Sequence, residues 1–160
     1  NLQSDRKSAQ EFFDAYKATF PTLMAYLEDV KIQARKNGYT ETLFGRRRQL
    51  KMLQSHLPFI RAQGERMAIN APIQGTSADI MRIALIDVGN ALKNTGLNTY
   101  VIPLLQIHDE FIFEVKKGYE EKAKEVIVPT MEKILEKHKK EANLIPILVS
   151  ADNGLTWGDL

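Results

Sequence analysis

Cysteine is missing from all 160 residues, which excludes disulfide staples and thiolate metal sites and fits a reducing compartment. No apolar run approaches the roughly 20 residues that a membrane-spanning helix needs. The amino terminus, NLQSDRKSAQ, shows no signal-peptide pattern and no initiating Met, so it reads as the interior of something longer. Internal repeats and low-complexity tracts are absent as well. What remains is 44% hydrophobic and 26% charged, an ordinary balance for a globular chain, and the length supports one domain with a real core.

Excess charge of either sign is also small, a formal +2, but its distribution is uneven. Between Lys31 and Arg66 stand nine basic residues, Lys31, Arg35, Lys36, Arg46, Arg47, Arg48, Lys51, Arg61 and Arg66, against Glu41 and Glu65. That segment carries +7 and leaves −5 on the rest. A basic middle on a slightly acidic chain points to a localised polyanion-binding face; a solvated helix-and-loop surface is the other reading.

Val101 to Val115, VIPLLQIHDEFIFEV, is an apolar stretch interrupted abruptly by His108-Asp109-Glu110. The flanking β-branched, aromatic and leucine residues predict a hairpin with the polar triplet at or next to its turn. No Gly, Asn or Pro marks that turn, and His, Asp and Glu are poor turn chemistry, so the triplet points to a use of its side chains. Exposed carboxylates of Asp109 and Glu110 on a rigid two-stranded support suit a divalent cation such as Mg²⁺. A solvated hairpin tip is the alternative.

Around these segments the pattern is mainly helical. Phe12, Phe13, Tyr16 and Phe20 recur at helical steps from Ala9 onward, with Ser4 or Ser8 as a cap and Pro21 as the end or interruption. Leu23, Tyr26, Leu27, Val30 and Ala34 mark a second helix closed by Asn37-Gly38. The aromatics of both are expected in the core. Tyr39 to Leu43 and Arg48 to Leu53 read as strands around Phe44-Gly45-Arg46. The three consecutive arginines Arg46, Arg47 and Arg48 are phosphate candidates, but alternation along a strand keeps all three from sharing one face. Ser55 to Asn70 predicts a helix with Pro58 in its first turn, and Gly64 inside it marks either a close backbone approach or tolerated drift. Asn70-Ala71-Pro72 breaks the periodicity. A long helix then runs from about Thr76 to Leu92, with Ile80, Ala84, Val88 and Ala91 as its buried stripe, widened by Ile83 and Leu85, and with Asn94-Thr95-Gly96 as its end. Tyr119 to Lys140 is a charged helix that Pro129 should kink or divide. His138 lies among lysines and reads as an exposed helix-end residue. Ile145 to Ser150 is a last strand, and Trp157 a packing plug. This order predicts an α+β fold in which an antiparallel sheet has helices against one face.

Glu65 to Asp79, ERMAINAPIQGTSAD, taken with QIHDE at Gln106 to Glu110, resembles the carboxy-terminal part of the family A DNA polymerases, the bacterial DNA polymerase I group. TLFGRRR at Thr42 to Arg48 and SADNGLTW at Ser150 to Trp157 fit the same order and spacing. The resemblance covers essentially the whole chain, and four motifs in order are far more specific than one. It implies fingers and fingers-palm helices over residues 1–38 and the carboxy-terminal part of the palm over 39–160. The implied activity is template-directed nucleotidyl transfer to a primer 3′ end, in DNA replication or repair. Its implied partners are primer-template DNA, dNTP and the remainder of the polymerase, with no membrane. The implied setting is cytoplasmic, at the nucleoid of a bacterium or phage, an organelle being left open.

The resemblance also assigns residues. Asp109 matches the second of two metal-binding aspartates, Glu110 is a secondary carboxylate, and His108 touches the primer end. Arg66, Asn70 and Gln74 match residues that contact the primer-template near the new base pair, and Arg61 matches a backbone contact. Amide and guanidinium groups suit the minor-groove acceptors common to all base pairs, whereas helix capping is the plain reading of Asn70 and Gln74. Two Mg²⁺ ions would be shared with an aspartate outside this chain, since the family's DYSQIELR-like motif is not here. Its RxxxKxxNFGxxYG-like nucleotide-binding helix is not here either. The chain is thus expected to be catalytically incomplete by itself. A non-catalytic nucleic-acid-binding or assembly module retaining the fold is the competing reading, and the intact His108-Asp109-Glu110 triplet favours the polymerase.

Overall fold

Pro21 and Gly38 bracket the second helix by opposite means. The computed structural model describes residues 6–139 and 145–159, so Ser4 and Lys140, named above as a cap and a helix end, lie outside the described residues. α1 (Arg6–Thr19) stops before Phe20, and Pro21 then opens α2 (Pro21–Asn37), where its fixed φ and missing N–H are tolerated. Gly38 takes φ 78° and donates its N–H to the Ala34 carbonyl, ending α2 in the left-handed conformation that glycine adopts without strain.

The chain divides into two compact units, residues 1–75 and 76–160. In the first, β1 (Tyr39–Glu41) and β2 (Arg47–Gln49) pair antiparallel, with Thr40 opposite Arg48 and Glu41 opposite Arg47. Gly45 at φ 84° lets the loop reverse. The expected strand to Leu53 stops early. Leu50 donates its N–H to the Gly38 carbonyl, and Lys51–Gln54 winds into a helical turn that places Leu50 and Leu53 in a core with Ala34 and Ala68. Gly64 is explained there, because a Cβ on it would stand 3.0 Å from Leu53 Cδ2 and 3.2 Å from the Leu53 nitrogen. The aromatic stripe of α1 and α2 does not join this core. Phe12 is 73% and Phe13 50% exposed; Ala34 is the buried residue of α2, and no other layer of the unit lies over the aromatics among the described residues.

α3 (Pro58–Asn94) is one helix, where a break at Asn70-Ala71-Pro72 was expected. Pro72 removes the N–H that would reach the Ala68 carbonyl, a local penalty of about 3 kcal/mol. Ala68 and Ala71 are nevertheless buried, so packing of the turn that precedes Pro72 offsets the missing bond and the helix stays continuous.

In the second unit the buried stripe of α3 is Met81, Ala84, Val88 and Leu92. Relative to the expected stripe it keeps Ala84 and Val88, while Leu85 is exposed. β3 (Val101–Ile107) and β4 (Glu110–Val115) form a second hairpin. The register slips by one residue at Leu104, next to Pro103, the kind of bulge that accommodates a residue without an N–H. α4 (Glu120–Glu132) and α5 (Ile134–His138) are separated at Lys133, so the Pro129 segment does divide. Val88, Leu92, Leu97, Val101, Ala123 and Ile127 form one core. Tyr100 stacks on Tyr119 with ring centroids 4.2 Å apart, tying the start of β3 to the start of α4.

The α+β class stands, with its strands in two separate antiparallel hairpins. The last strand does not form. Residues 145–159 contain no strand, and the Val149 N–H goes instead to Glu132 Oε1 at 3.3 Å. Lys124 Nζ donates to Asn153 Oδ1 at 2.8 Å, so this segment lies along α4. Among the described residues β3 and β4 pair with each other and take no third strand. Trp157 is 63% exposed on a short turn, Trp157–Asp159, where it plugs nothing.

Candidate nucleic-acid and metal site

Ile107 pairs with Glu110, leaving His108 and Asp109 as a two-residue hairpin loop. His108 has φ 50° and is the one non-glycine residue with positive φ among the described residues. The first position of a tight hairpin loop takes positive φ because that matches the twist of its strands. Glycine holds it without strain, whereas an L side chain costs about 1–2 kcal/mol. Such an outlier, argued toward function, says the histidine side chain is kept at the tip despite its backbone. His108, Asp109 and Glu110 are all exposed, and Gln106 Nε2 donates to the His108 carbonyl at 3.4 Å.

Asp109 and Glu110 offer adjacent carboxylates, hard donors of the kind Mg²⁺ takes. No group of three or more His, Asp or Glu side chains is arranged to hold a metal ion among the described residues. The donor chemistry therefore fits Mg²⁺, while two octahedral ions need ligands beyond these two.

In the other unit Arg66, Asn70 and Gln74 are spaced by four on α3, and all three are exposed. Steps of four advance about 6 Å along the axis and about 40° around it, so the three form one slanted stripe roughly 12 Å long. Asn70 and Gln74 are not caps, since α3 continues through both. Arg61, five residues before Arg66, points about 140° away from it around the helix; its Nη1 stands 3.4 Å from the Ser55 carbonyl.

The three consecutive arginines separate into three environments. Arg46 Nη2 donates to the Gly75 carbonyl at 3.0 Å. Arg47 Nε donates to Glu41 Oε2 at 2.7 Å, and its guanidinium carbon lies 4.6 Å from the centre of the Tyr39 ring. The bond from Glu41 first, then the phenol of Tyr39, raises its already high pKa. Arg48 stands across from buried Thr40 and is exposed.

One contact cluster escaped sequence reasoning. His138 is exposed at the end of α5, as expected, but its Nε2 also stands 2.7 Å from Asp87 Oδ2, and Lys137 Nζ lies 2.9 Å from the same oxygen. Asp87 is 7% exposed. The available signal was its place beside Val88 on the buried stripe, where an acid needs a partner.

A model of DNA polymerase family A matches residues 1–159. The chain is 42% identical to DNA polymerase I of Pseudomonas aeruginosa over 156 residues, 97% of this chain and 16% of that protein. It is 40% identical to DNA polymerase I of Streptococcus pneumoniae over 157 residues, 98% of this chain and 17% of that protein. Among solved structures it is similar to the POL domain of Pol1 from M. smegmatis in complex with DNA primer-template and dNTP. That match has a TM-score of 0.78 and 41% identity, and covers 83% of this chain and 23% of that one. The chain thus spans about a sixth of the length of the curated relatives it matches.

Proposed function

The chain belongs to DNA polymerase family A, and from that membership we propose that it forms the carboxy-terminal part of a DNA-directed DNA polymerase. In this reading it contributes to template-directed nucleotidyl transfer onto a primer 3′ end. The observation that carries it is the His108-Asp109 loop, a glycine-type turn occupied by a histidine. Strain at a solvent-exposed tip is the kind of cost that function maintains, and it supports the reading that exposed His108, Asp109 and Glu110 meet a primer terminus and a metal ion.

Asp109 would hold Mg²⁺, with Glu110 as a secondary carboxylate, and His108 would meet the primer end. Bound there, the metal supplies the positive charge that activates the primer hydroxyl and neutralises the leaving pyrophosphate. Because Asp109 and Glu110 are adjacent on one hairpin, a carboxylate approaching from another strand has to complete the pair of sites, and residues outside these 160 would supply it. The α3 stripe of Arg66, Asn70 and Gln74 would lie along the minor groove near the new base pair. Its amides and guanidinium match acceptors shared by every base pair, so they sense pair shape and not sequence. Arg61 and Arg48 would take backbone phosphates. The M. smegmatis domain, solved with primer-template and dNTP, supports the same partners for this chain; its setting would be the cytoplasmic nucleoid in a bacterium or phage, with an organelle as the alternative.

Asp109→Asn in the full-length polymerase carrying this sequence tests the reading. Loss of a metal-binding charge should lower primer extension by at least 10²-fold, with primer-template affinity within about twofold. A parallel fall in affinity and turnover would count against a metal role. Full activity of Asp109→Asn would favour a non-catalytic module.

A further inference from the structure

Gly75 follows Gln74 inside α3, and the space over it is already taken. A Cβ there would stand 2.6 Å from Thr42 Cγ2 and 3.2 Å from Arg46 Nη2, so the β1-β2 loop sits directly on the helix backbone. The loop is closed on itself. The Thr42 N–H donates to the Arg46 carbonyl at 2.9 Å, and the Arg46 N–H donates to Thr42 Oγ1 at 3.1 Å. From this closed loop the Arg46 guanidinium reaches the Gly75 carbonyl at 3.0 Å.

The helix is held where it is weakest. Pro72 deprives the Ala68 carbonyl of its intrahelical donor and crowds it, and three residues later Gly75 adds backbone freedom. A proline and a glycine this close within a helix favour a bend. Asn70 lies on one side of Pro72 and Gln74 on the other, so any change of bend alters the angle between their side chains.

We propose that Arg46 is a positioning residue. Through the Gly75 carbonyl, and with the Thr42 methyl against Gly75, it fixes the direction in which α3 presents Gln74 relative to Asn70. The proposal rests on the reading of the α3 stripe as a nucleic-acid contact. It gives Arg46 a different task from a phosphate contact, even though it begins a run of three arginines.

The test compares Arg46→Ala, Gln74→Ala and the double variant in the full-length polymerase, measuring salt-dependent primer-template affinity, kcat and KM for correct incorporation, and extension from a mismatched primer end. Arg46→Ala is expected to leave the salt slope unchanged and to lower kcat roughly tenfold to a hundredfold, as small misplacements of contact groups do. Its effect should largely vanish once Gln74 is already Ala, and Arg46→Lys, which keeps one donor, should recover part of the loss. A salt slope lower by about one unit, or additive effects of Arg46→Ala and Gln74→Ala, would overturn the proposal. Should Arg46→Ala not fold, Gly75→Ala displaces the loop while keeping the charge. It should reproduce the loss of kcat, and adding Thr42→Ser, which removes the clashing methyl, should restore part of it; a Gly75→Ala enzyme of normal kcat would overturn the proposal equally. If Gln74→Ala alone changes neither incorporation nor mismatch extension, the stripe reading itself fails; a strong Gln74→Ala effect with a silent Arg46→Ala defeats only the positioning role.

Discussion

His138 Nε2 on α5 stands 2.7 Å from Oδ2 of Asp87 on α3, and the preceding Lys137 reaches the same oxygen at 2.9 Å. Burial by itself pushes the Asp87 carboxyl up, but the hydrogen bonds from His138 and then Lys137 outweigh it and hold the group below its usual range. Glu125 and Lys133 line the groove beside it. A depressed carboxyl stabilises the fold above its unfolded pKa of about 3.9, and that contribution is lost as pH falls through the lower folded value. Asp87→Asn should therefore lose about 1–3 kcal/mol near neutral pH, the worth of hydrogen bonds to a charged group. Urea melts at pH 7 and in acid should show the gap to the parent chain closing as Asp87 protonates. A gap of constant size would mean that Asp87 acts by packing alone.

His108 makes the opposite trade. At φ 50° a glycine is relieved of the Cβ strain but adds freedom to the unfolded chain. His108→Gly should accordingly leave stability unchanged or raise it by up to about 1 kcal/mol. Primer extension should fall at the same time. A variant that loses stability and activity together would mean that the side chain serves the hairpin itself.

Local signals were legible in the sequence, and long-range ones were not. Pro21, Gly38 and Gly96 act on their own backbone, so the helix ends at Thr19, Asn37 and Asn94 follow from neighbouring residues. The hairpin at His108 was legible for the same reason, from two apolar runs and a polar interruption. Pro72 misled because its local penalty is offset by burial of Ala68 and Ala71, which depends on distant partners. Ile145 to Ser150 has strand composition, but a strand also needs an open edge with matching register. Trp157 likewise needs a cavity. Asp87 and His138 are 51 positions apart, and no pattern in either segment announces the other. In the candidate site the carboxylates and the α3 stripe could be named from residue type and motif, whereas the differing fates of Arg46, Arg47 and Arg48 depend on Gly75, Glu41 and the hairpin register.

Gly64 gives a packing test with two opposing terms. Gly64→Ala gains about 1 kcal/mol of helix propensity, but the new Cβ would meet Leu53 at 3.0 Å on the side chain and 3.2 Å on the backbone nitrogen. The backbone atom cannot swing aside, so overpacking of about 1–3 kcal/mol should win and the melting temperature should fall. Leu53→Ala relieves only the side-chain contact, and it should make the added penalty of Gly64→Ala smaller without abolishing it. A stabilised Gly64→Ala single variant would show that the turn at Lys51–Gln54 shifts freely.

Arg47 and Arg48 are neighbours on β2, yet they should respond differently to removal. Arg47 is engaged by Glu41 at 2.7 Å and by the Tyr39 ring. With side chains 58% and 43% exposed, the Arg47–Glu41 pair is screened by solvent and adds little to the hairpin. Removing Arg47 also leaves Glu41 unpaired, so Arg47→Ala should weaken the fold slightly and barely change the salt dependence of DNA binding. Arg48 lies on the other face of the strand, opposite Thr40, and its guanidinium has no hydrogen-bond or ion-pair partner among the described residues. A cation held on a paired strand with its charge unspent is prepared for a phosphate. Arg48→Ala should lower the slope of log affinity against log salt by about 0.9 on duplex primer-template, weakening binding at low salt more than at high salt and equally on all sequences. Titrations at three or more salt concentrations would resolve that difference. If Arg48→Ala leaves the slope where Arg47→Ala leaves it, the β1-β2 hairpin is a solvated surface, and the polyanion face rests on Arg61 and Arg66 instead.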